Sequence, residues 1–176
     1  MTIPSFLRVA FFFSLSCLLL AQVTLADTES EKLWENTLSI VREDFPRVQH
    51  ISTDELAAIL EEHTDFTLLD TRKLEEYEVS HIQGAFLAEG VRDALKVLKG
   101  KSRENLVIVY CSVGYRSSSI AKKLTRRGFT NVVNVEGSLF KWANENRPVF
   151  SGDKAVDKVH PYDEDWGRLL DLKFWP

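Results

Sequence analysis

Cysteine is almost missing from this 176-residue chain, which holds only Cys17 and Cys111. Cys17 falls within an apolar leader, so Cys111 stands alone in the remainder and an intramolecular disulfide is excluded there. A single unpaired thiol in an exported protein calls for an explanation. The plain one is a buried cysteine packing as a small hydrophobe; the other is reactivity, and context has to decide. Metal-ligand spacing is missing too, because His50, His63 and His160 bear no such relation to one another or to Cys111. Positive charge is in short supply, with 22 Lys and Arg against 26 Asp and Glu. A mildly acidic chain excludes general phosphate-backbone binding, so nucleic acid is not an expected partner. After Leu25 no apolar run is long enough to span a membrane. Internal repeats and low-complexity tracts are also lacking.

What is present begins with the leader, MTIPSFLRVAFFFSLSCLLLAQVTLA. It has one cation at Arg8, an apolar run from Val9 to Leu20, and Thr24-Leu25-Ala26 before the first acid, Asp27. That order reads as a secretory signal peptide over residues 1–26, which predicts a periplasmic or secreted protein; the alternative is an uncleaved N-terminal anchor. Cys17 has no lipobox around it, so lipidation is discounted. Removing the leader takes the net charge from −4 to −5, since Arg8 is its only charged residue. About 150 residues remain, enough for one domain with a real core.

Residues 31–45 place Leu33, Trp34, Leu38 and Val41 at helical spacing and predict an amphipathic helix. Ser52 and Glu55 have the spacing of a capping box that opens the helix DELAAILEEH. Extended pieces are expected around Val48 to Ile51, at Phe66 to Leu69, at AFL, at LVIVY and at VVNV. Helical stretches, KLEEYEVS, VRDALKVLKG, SSSIAKKLTRRG and SLFKWANEN, punctuate and follow them. Short continuous apolar runs separated by helices imply a doubly wound α/β domain, a parallel sheet of about five strands with helices on both faces. From Ser151 a polar link is expected to lead into an aromatic-rich tail. There Asp163, Glu164 and Asp165 suit a helix start, and Trp166, Leu169 and Leu170 form an apolar face. The tail is expected to pack back on the domain, beside the catalytic edge.

The joint LVIVY-CSVGYRS-SSIAKKL puts Cys111 where a strand ends and a helix begins, at the sheet edge where open α/β folds bind ligands. The start of that helix, read as near Ser117, has free N–H groups and partial positive charge, which stabilise a thiolate. Gly114 allows a positive φ or an inward ring of N–H groups. Arg116 adds a permanent cation suited to an oxyanion substrate. Ser112 and Ser117 to Ser119 offer hydroxyls and a helix cap. Nucleophile and anion cradle thus share one loop.

That loop, CSVGYRS, resembles the C-x-x-G-x-R-S pattern of the rhodanese homology domain. Upstream, LLDTRKLEEYEVSHIQGA is similar to the family's D-x-R-x-x-x-E-[YF]-x-x-G-H-I-x-G-A. Downstream, KKLTRRGFTNVVNVEGSLFKWANENRP is similar to its closing stretch. The resemblance runs from Ile51 to Pro148. It implies a single-domain sulfurtransferase in which Cys111 forms a persulfide and Ser112, Val113, Gly114, Tyr115, Arg116 and Ser117 cradle the substrate. Asp70, Arg72, Glu76 and His81 fall on positions that hold strand-to-helix turns together, with Arg72 and Glu76 expected as an ion pair. His81 is structural, because an ionised thiol needs no base. The resemblance calls for no metal and no cofactor; its partners are a small thiosulfate-like donor and a thiol or protein acceptor. The expected organisation is signal 1–26, amphipathic helix 27–46, rhodanese domain 47–150 and extension 151–176.

Two other readings stay open: a sulfur carrier or binding module without turnover, and a phosphatase, which on a similar fold uses the longer C-x5-R loop. Three departures stand out, Ser80 and Ser138 for family glycines, and AFLAEG for A-x-N-[IL]-P.

Overall fold

The computed structural model describes residues 29–62 and 65–176. The expected signal segment, Cys17 and His63 lie outside the described residues. The chain divides into two units, Met1–Asn36 and Thr37–Pro176. In the first, residues 29–36 are helical. No helix among the described residues is long and apolar enough to cross a membrane.

The second unit opens with helical residues 37–44 (α1), which bury Thr37 and Val41, followed by buried Phe45. The five short apolar runs form β1 (Gln49–Ile51), β2 (Phe66–Asp70), β3 (Phe86–Leu87), β4 (Leu106–Tyr110) and β5 (Val132–Val135). They build one all-parallel sheet in the order β1-β5-β4-β2-β3. Between them lie α2 (Thr53–Glu61), α3 (Leu74–Val79), α4 (Val91–Val97) and α5 (Tyr115–Thr125), followed after β5 by α6 (Ser138–Asn144). The Ser52–Glu55 capping box is formed in both directions, so the start of α2 is fixed locally.

The strand order decides where chemistry can occur. The crossovers through α2 and α3 run one way across the sheet, and those through α4 and α5 run back. Right-handed connections therefore place the two pairs on opposite faces. On one face Val107 and Val109 of β4 pack with Ala94 and Leu98 of α4 and with Ile120, Ala121 and Leu124 of α5. The intervening Ile108 and Tyr110 point to the other face, and both are buried. Between β2 and β4, paired in register from Phe66↔Leu106 to Asp70↔Tyr110, the connections diverge to opposite faces. That divergence opens a crevice at the carboxyl ends of the two strands.

Where a polar link was expected after Ser151, the chain forms a hairpin, β6 (Val149–Ser151) and β7 (Lys154–Val156), turning at Gly152-Asp153. It is anchored to the domain by the paired backbone hydrogen bonds between Phe150 and His81. Beyond it, α7 (Glu164–Gly167) is capped by the Asp163 carboxylate, which accepts the Trp166 N–H at 2.8 Å, and a 3-10 turn follows at Leu172–Phe174. Val159, Leu169 and Leu170 are buried, and the Asn144 amide on α6 donates to the Leu169 carbonyl at 2.8 Å.

Candidate active site

The crevice is built from the turns after β2 and β4. Thr71 binds the Tyr110 carbonyl through both its N–H and its hydroxyl, each at 2.9 Å, and so ties the two strand ends together. Immediately after Tyr110 comes Cys111. The N-terminus of α6 holds the thiol loop from the other side: Cys111 N–H donates to the Ser138 hydroxyl at 3.2 Å, and Leu139 N–H and Phe140 N–H donate to the carbonyls of Cys111 and Ser112. Ser138, one of the departures, adopts φ 48° there, and its hydroxyl donates to the Val135 carbonyl. It acts as a clasp on the cysteine backbone. Ser80, another departure, has an extended backbone with φ −168°, a conformation open to any residue.

Gly114 caps α5 at φ 110°. A Cβ there would sit 3.2 Å from the Asn134 amide and 3.3 Å from the Val135 carbonyl, so both conformation and space demand glycine. The helix thus begins at Tyr115, two residues before the expected start, and no serine caps it. Ser118 instead donates back to the Gly114 carbonyl at 2.7 Å. This geometry brings the Gly114 N–H to 3.2 Å from the Cys111 sulfur.

One sequence expectation about arginine needs correction, and another gains a partner. Arg72 does not pair with Glu76. It precedes α3, so helical i,i+4 spacing does not apply, and its guanidinium instead folds back on Asp70 at 2.7 Å with both side chains fully buried. Burial acts to lower the Arg72 pKa, but the Asp70 carboxylate raises it above the ordinary value. Glu76 reaches the thiol loop and receives both terminal nitrogens of Arg116 at 2.7 Å. Its remaining lone pairs accept the Ser112 hydroxyl at 3.2 Å and the Lys73 N–H at 3.1 Å. Burial pushes the Glu76 carboxyl up, but Arg116, joined by the Lys73 N–H and Arg72, holds it below its usual range. Arg116 is therefore a shared cation, held on one side by Glu76 while still lining the pocket. Its fork is committed to Glu76 and Ser112, the latter at 2.9 Å, and the Tyr162 ring covers its guanidinium at 4.6 Å.

Arg116 still acts on the sulfur. Burial raises the Cys111 thiol pKa, but Arg116, the Ser117 hydroxyl and the N–H groups of Ser117 and Gly114 together bring it below the ordinary value. The buried Ser117 hydroxyl forms no hydrogen bond in the structure, and its proximity acts to lower the thiol pKa. Only 1% of Cys111 is exposed, yet the residue lines a pocket of about 180 Å³ together with Ser112, Val113, Tyr115 and Arg116. Tyr162 and Trp166 of the tail complete the pocket wall. The arrangement is a thiol of lowered pKa in a partly roofed, small pocket, with the Gly114 N–H on its sulfur.

The structure thus brings Cys111, Ser112, Val113, Gly114, Tyr115, Arg116, Ser117 and Glu76 together. Asp70 and Arg72 lie one turn away as a sealed pair. His81 lies apart: it stacks on Tyr77 at 3.9 Å, its Nδ1 is 2.9 Å from the Tyr77 carbonyl, and it lines a different pocket. Ser138 was not among the expected site residues; its position in GSLF, opposite the loop, is the signal that marks it. Among the described residues no group of three or more His, Cys, Asp or Glu side chains is placed to hold a metal ion.

A sequence model of the rhodanese-like domain matches residues 52–145, more than half of the chain. The chain is 26% identical over 128 residues to a tRNA uridine(34) hydroxylase of Pectobacterium carotovorum, covering 69% of this chain and 36% of that protein. It is 24% identical over 119 residues to a probable adenylyltransferase/sulfurtransferase, MoeZ, of Mycobacterium tuberculosis, covering 65% of this chain and 30% of the relative. The chain spans about a third of the length of these curated relatives. Among solved structures, a thiosulfate sulfurtransferase from Pseudomonas aeruginosa superposes with a TM-score of 0.58 at 22% identity, over 65% of this chain and 22% of that one.

Proposed function

Since the chain belongs to the rhodanese-like domain family, we propose that it is a sulfurtransferase that carries sulfane sulfur on Cys111. The observation that supports this reading most is the Cys111 sulfur at the start of α5, with the Gly114 N–H on it and Arg116 lowering its pKa. In the first half-reaction the thiolate attacks the outer sulfur of a donor such as thiosulfate. A Cys111–S bond forms, the donor S–S bond breaks, and sulfite leaves with the electron pair. In the second, a thiolate or cyanide attacks the terminal sulfur, the persulfide S–S bond breaks, and the Cys111 thiolate returns. Two half-reactions through one covalent intermediate give ping-pong kinetics. With Arg116 partly held by Glu76, the oxygens of a thiosulfate donor meet backbone N–H groups of the loop beside the open part of the guanidinium.

The loop supports sulfur rather than phosphate as the transferred group, because Cys111 to Arg116 encloses four residues and leaves a small cradle. The reading includes export, by way of the signal-like first 26 residues, and cell fractionation tests it. The chemistry is tested by incubating the protein with thiosulfate, following the mass of Cys111, then adding cyanide and following thiocyanate. The expected result is a gain of one sulfur on Cys111, its loss as thiocyanate, and neither in Cys111→Ser. A reactive thiol that gains no sulfur overturns the reading. The roof of Tyr162 and Trp166 favours one variant of it, a carrier that holds sulfur for a particular acceptor; loading without transfer to cyanide is its signature.

A further inference from the structure

Three cations of an acidic protein gather around one groove without ion-pair partners among the described residues. Lys122 on the exposed side of α5 and Arg126 at its C-cap, together with Arg47, rim a groove of about 560 Å³ floored by Phe45, Pro46 and Val48. Lys122 lies over the Phe45 ring, 5.6 Å from its centroid. Asp44, adjacent to Phe45, is taken by the Tyr115 hydroxyl at 2.8 Å. The rim carries three cations around an apolar floor, against the one neighbouring carboxylate of Asp44, and is positive on balance in a chain whose net charge is −4.

The groove and the thiol pocket share no lining residue and are linked through one aromatic pair. Phe45 meets Tyr115 edge to face at 5.1 Å, and Tyr115 lines the pocket that holds Cys111. That pocket admits only a terminal group, and its own cation is engaged by Glu76. A macromolecule that exchanges sulfur with Cys111 must therefore find most of its hold next door. We infer that this groove docks an acidic segment of the sulfur-exchanging partner protein, with one apolar side chain seated over Phe45 and Val48 and its carboxylates on Arg47, Lys122 and Arg126. Charge complementarity of this kind steers encounter and selects partners. A concave floor with buried Phe45 fits an inserted side chain, whereas insertion into a bilayer requires apolar groups that protrude. The inference rests on the sulfurtransferase reading and specifies its partner.

The test uses two synthetic peptides, DELDE and KKLKK, each followed by a cysteine, as acceptors for the Cys111 persulfide, together with cysteine-free versions for titration calorimetry. At low salt the acidic acceptor should be faster by about tenfold, an advantage that shrinks as salt screens the rim. The advantage should vanish in the triple variant Arg47→Gln, Lys122→Gln, Arg126→Gln and reverse in the corresponding triple Glu variant. Loading of Cys111 by thiosulfate should be unchanged in both, which also reports that they fold. Equal rates for the two peptides, or a preference that survives the triple substitutions, overturns the inference. So does cosedimentation of the wild type, but not the triple variants, with phosphatidylcholine–phosphatidylglycerol vesicles when no peptide preference exists. If Cys111 fails to load, the sulfurtransferase reading falls by itself. The cysteine-free acidic peptide then still decides the groove, by binding the wild type and not the triple variants or by binding neither.

Discussion

Two turns leave the same edge of the sheet from adjacent strands, and each carries an arginine beside a buried carboxylate. After β2, Arg72 closes on Asp70 with both side chains at zero exposure. After β4, Arg116 closes on Glu76, which is itself buried, while the guanidinium keeps about a third of its surface open to the pocket beside Cys111. The first pair fixes a turn; the second fixes a turn and also biases a thiol. Burial of charge is the same device in both. What separates them is the left-handed Gly114, which aims backbone N–H groups at one sulfur atom, and the residual opening that lets a substrate reach it.

This contrast can be broken from either side. Asp70→Ala strands Arg72 in the core and should cost about 3–5 kcal/mol of stability, read as a fall in the urea midpoint, with the Cys111 pKa of the remaining folded protein little changed. Glu76→Gln should cost less, about 2 kcal/mol, because Arg116 keeps Ser112 and solvent, but it should slow persulfide formation in the folded protein. The Glu76 carboxyl is depressed in the folded state. Its contribution is thus present above the unfolded carboxylate value of about 4.3 and is lost as pH falls through the folded one. Chemical denaturation across acidic pH should therefore show a flatter profile for Glu76→Gln than for the wild type.

Smaller changes sharpen the comparison without collapsing it. Ser117→Ala removes a buried hydroxyl that acts to lower the Cys111 pKa and should raise that pKa, read from the pH dependence of alkylation, with stability nearly intact. Trp166→Ala opens the roof and should speed alkylation of Cys111 modestly at a fixed pH above its pKa. No change in that rate would show that the tail does not restrict access.

Much of this was legible before any coordinates. The sheet was readable because parallel strands covered on both faces must be short apolar runs, and 66–70 and 106–110 are such runs. The start of α2 was readable because Ser52 and Glu55 satisfy each other locally. Cys111 was readable from its place between a strand and a helix. The partners of the arginines were not, because a spacing rule for helices was applied to Arg72, which lies before the helix, while Glu76 meets Arg116 forty residues away through the tertiary fold. The cap of α5 was misjudged for a related reason. Serines favour caps, but a loop that must turn its N–H groups inward needs the positive φ that only Gly114 adopts without strain. The β6–β7 hairpin was hidden by strands of three residues, although Gly152-Asp153 is the kind of two-residue turn that announces one.

The measurement that bears most directly on the account is the pH dependence of Cys111 alkylation by iodoacetamide. The account predicts a single titration whose midpoint lies below the value of about 8.5 for an unperturbed cysteine, and which moves upward in Ser117→Ala. A midpoint at or above that value, or a thiol that does not react in the folded protein at any pH, would contradict it.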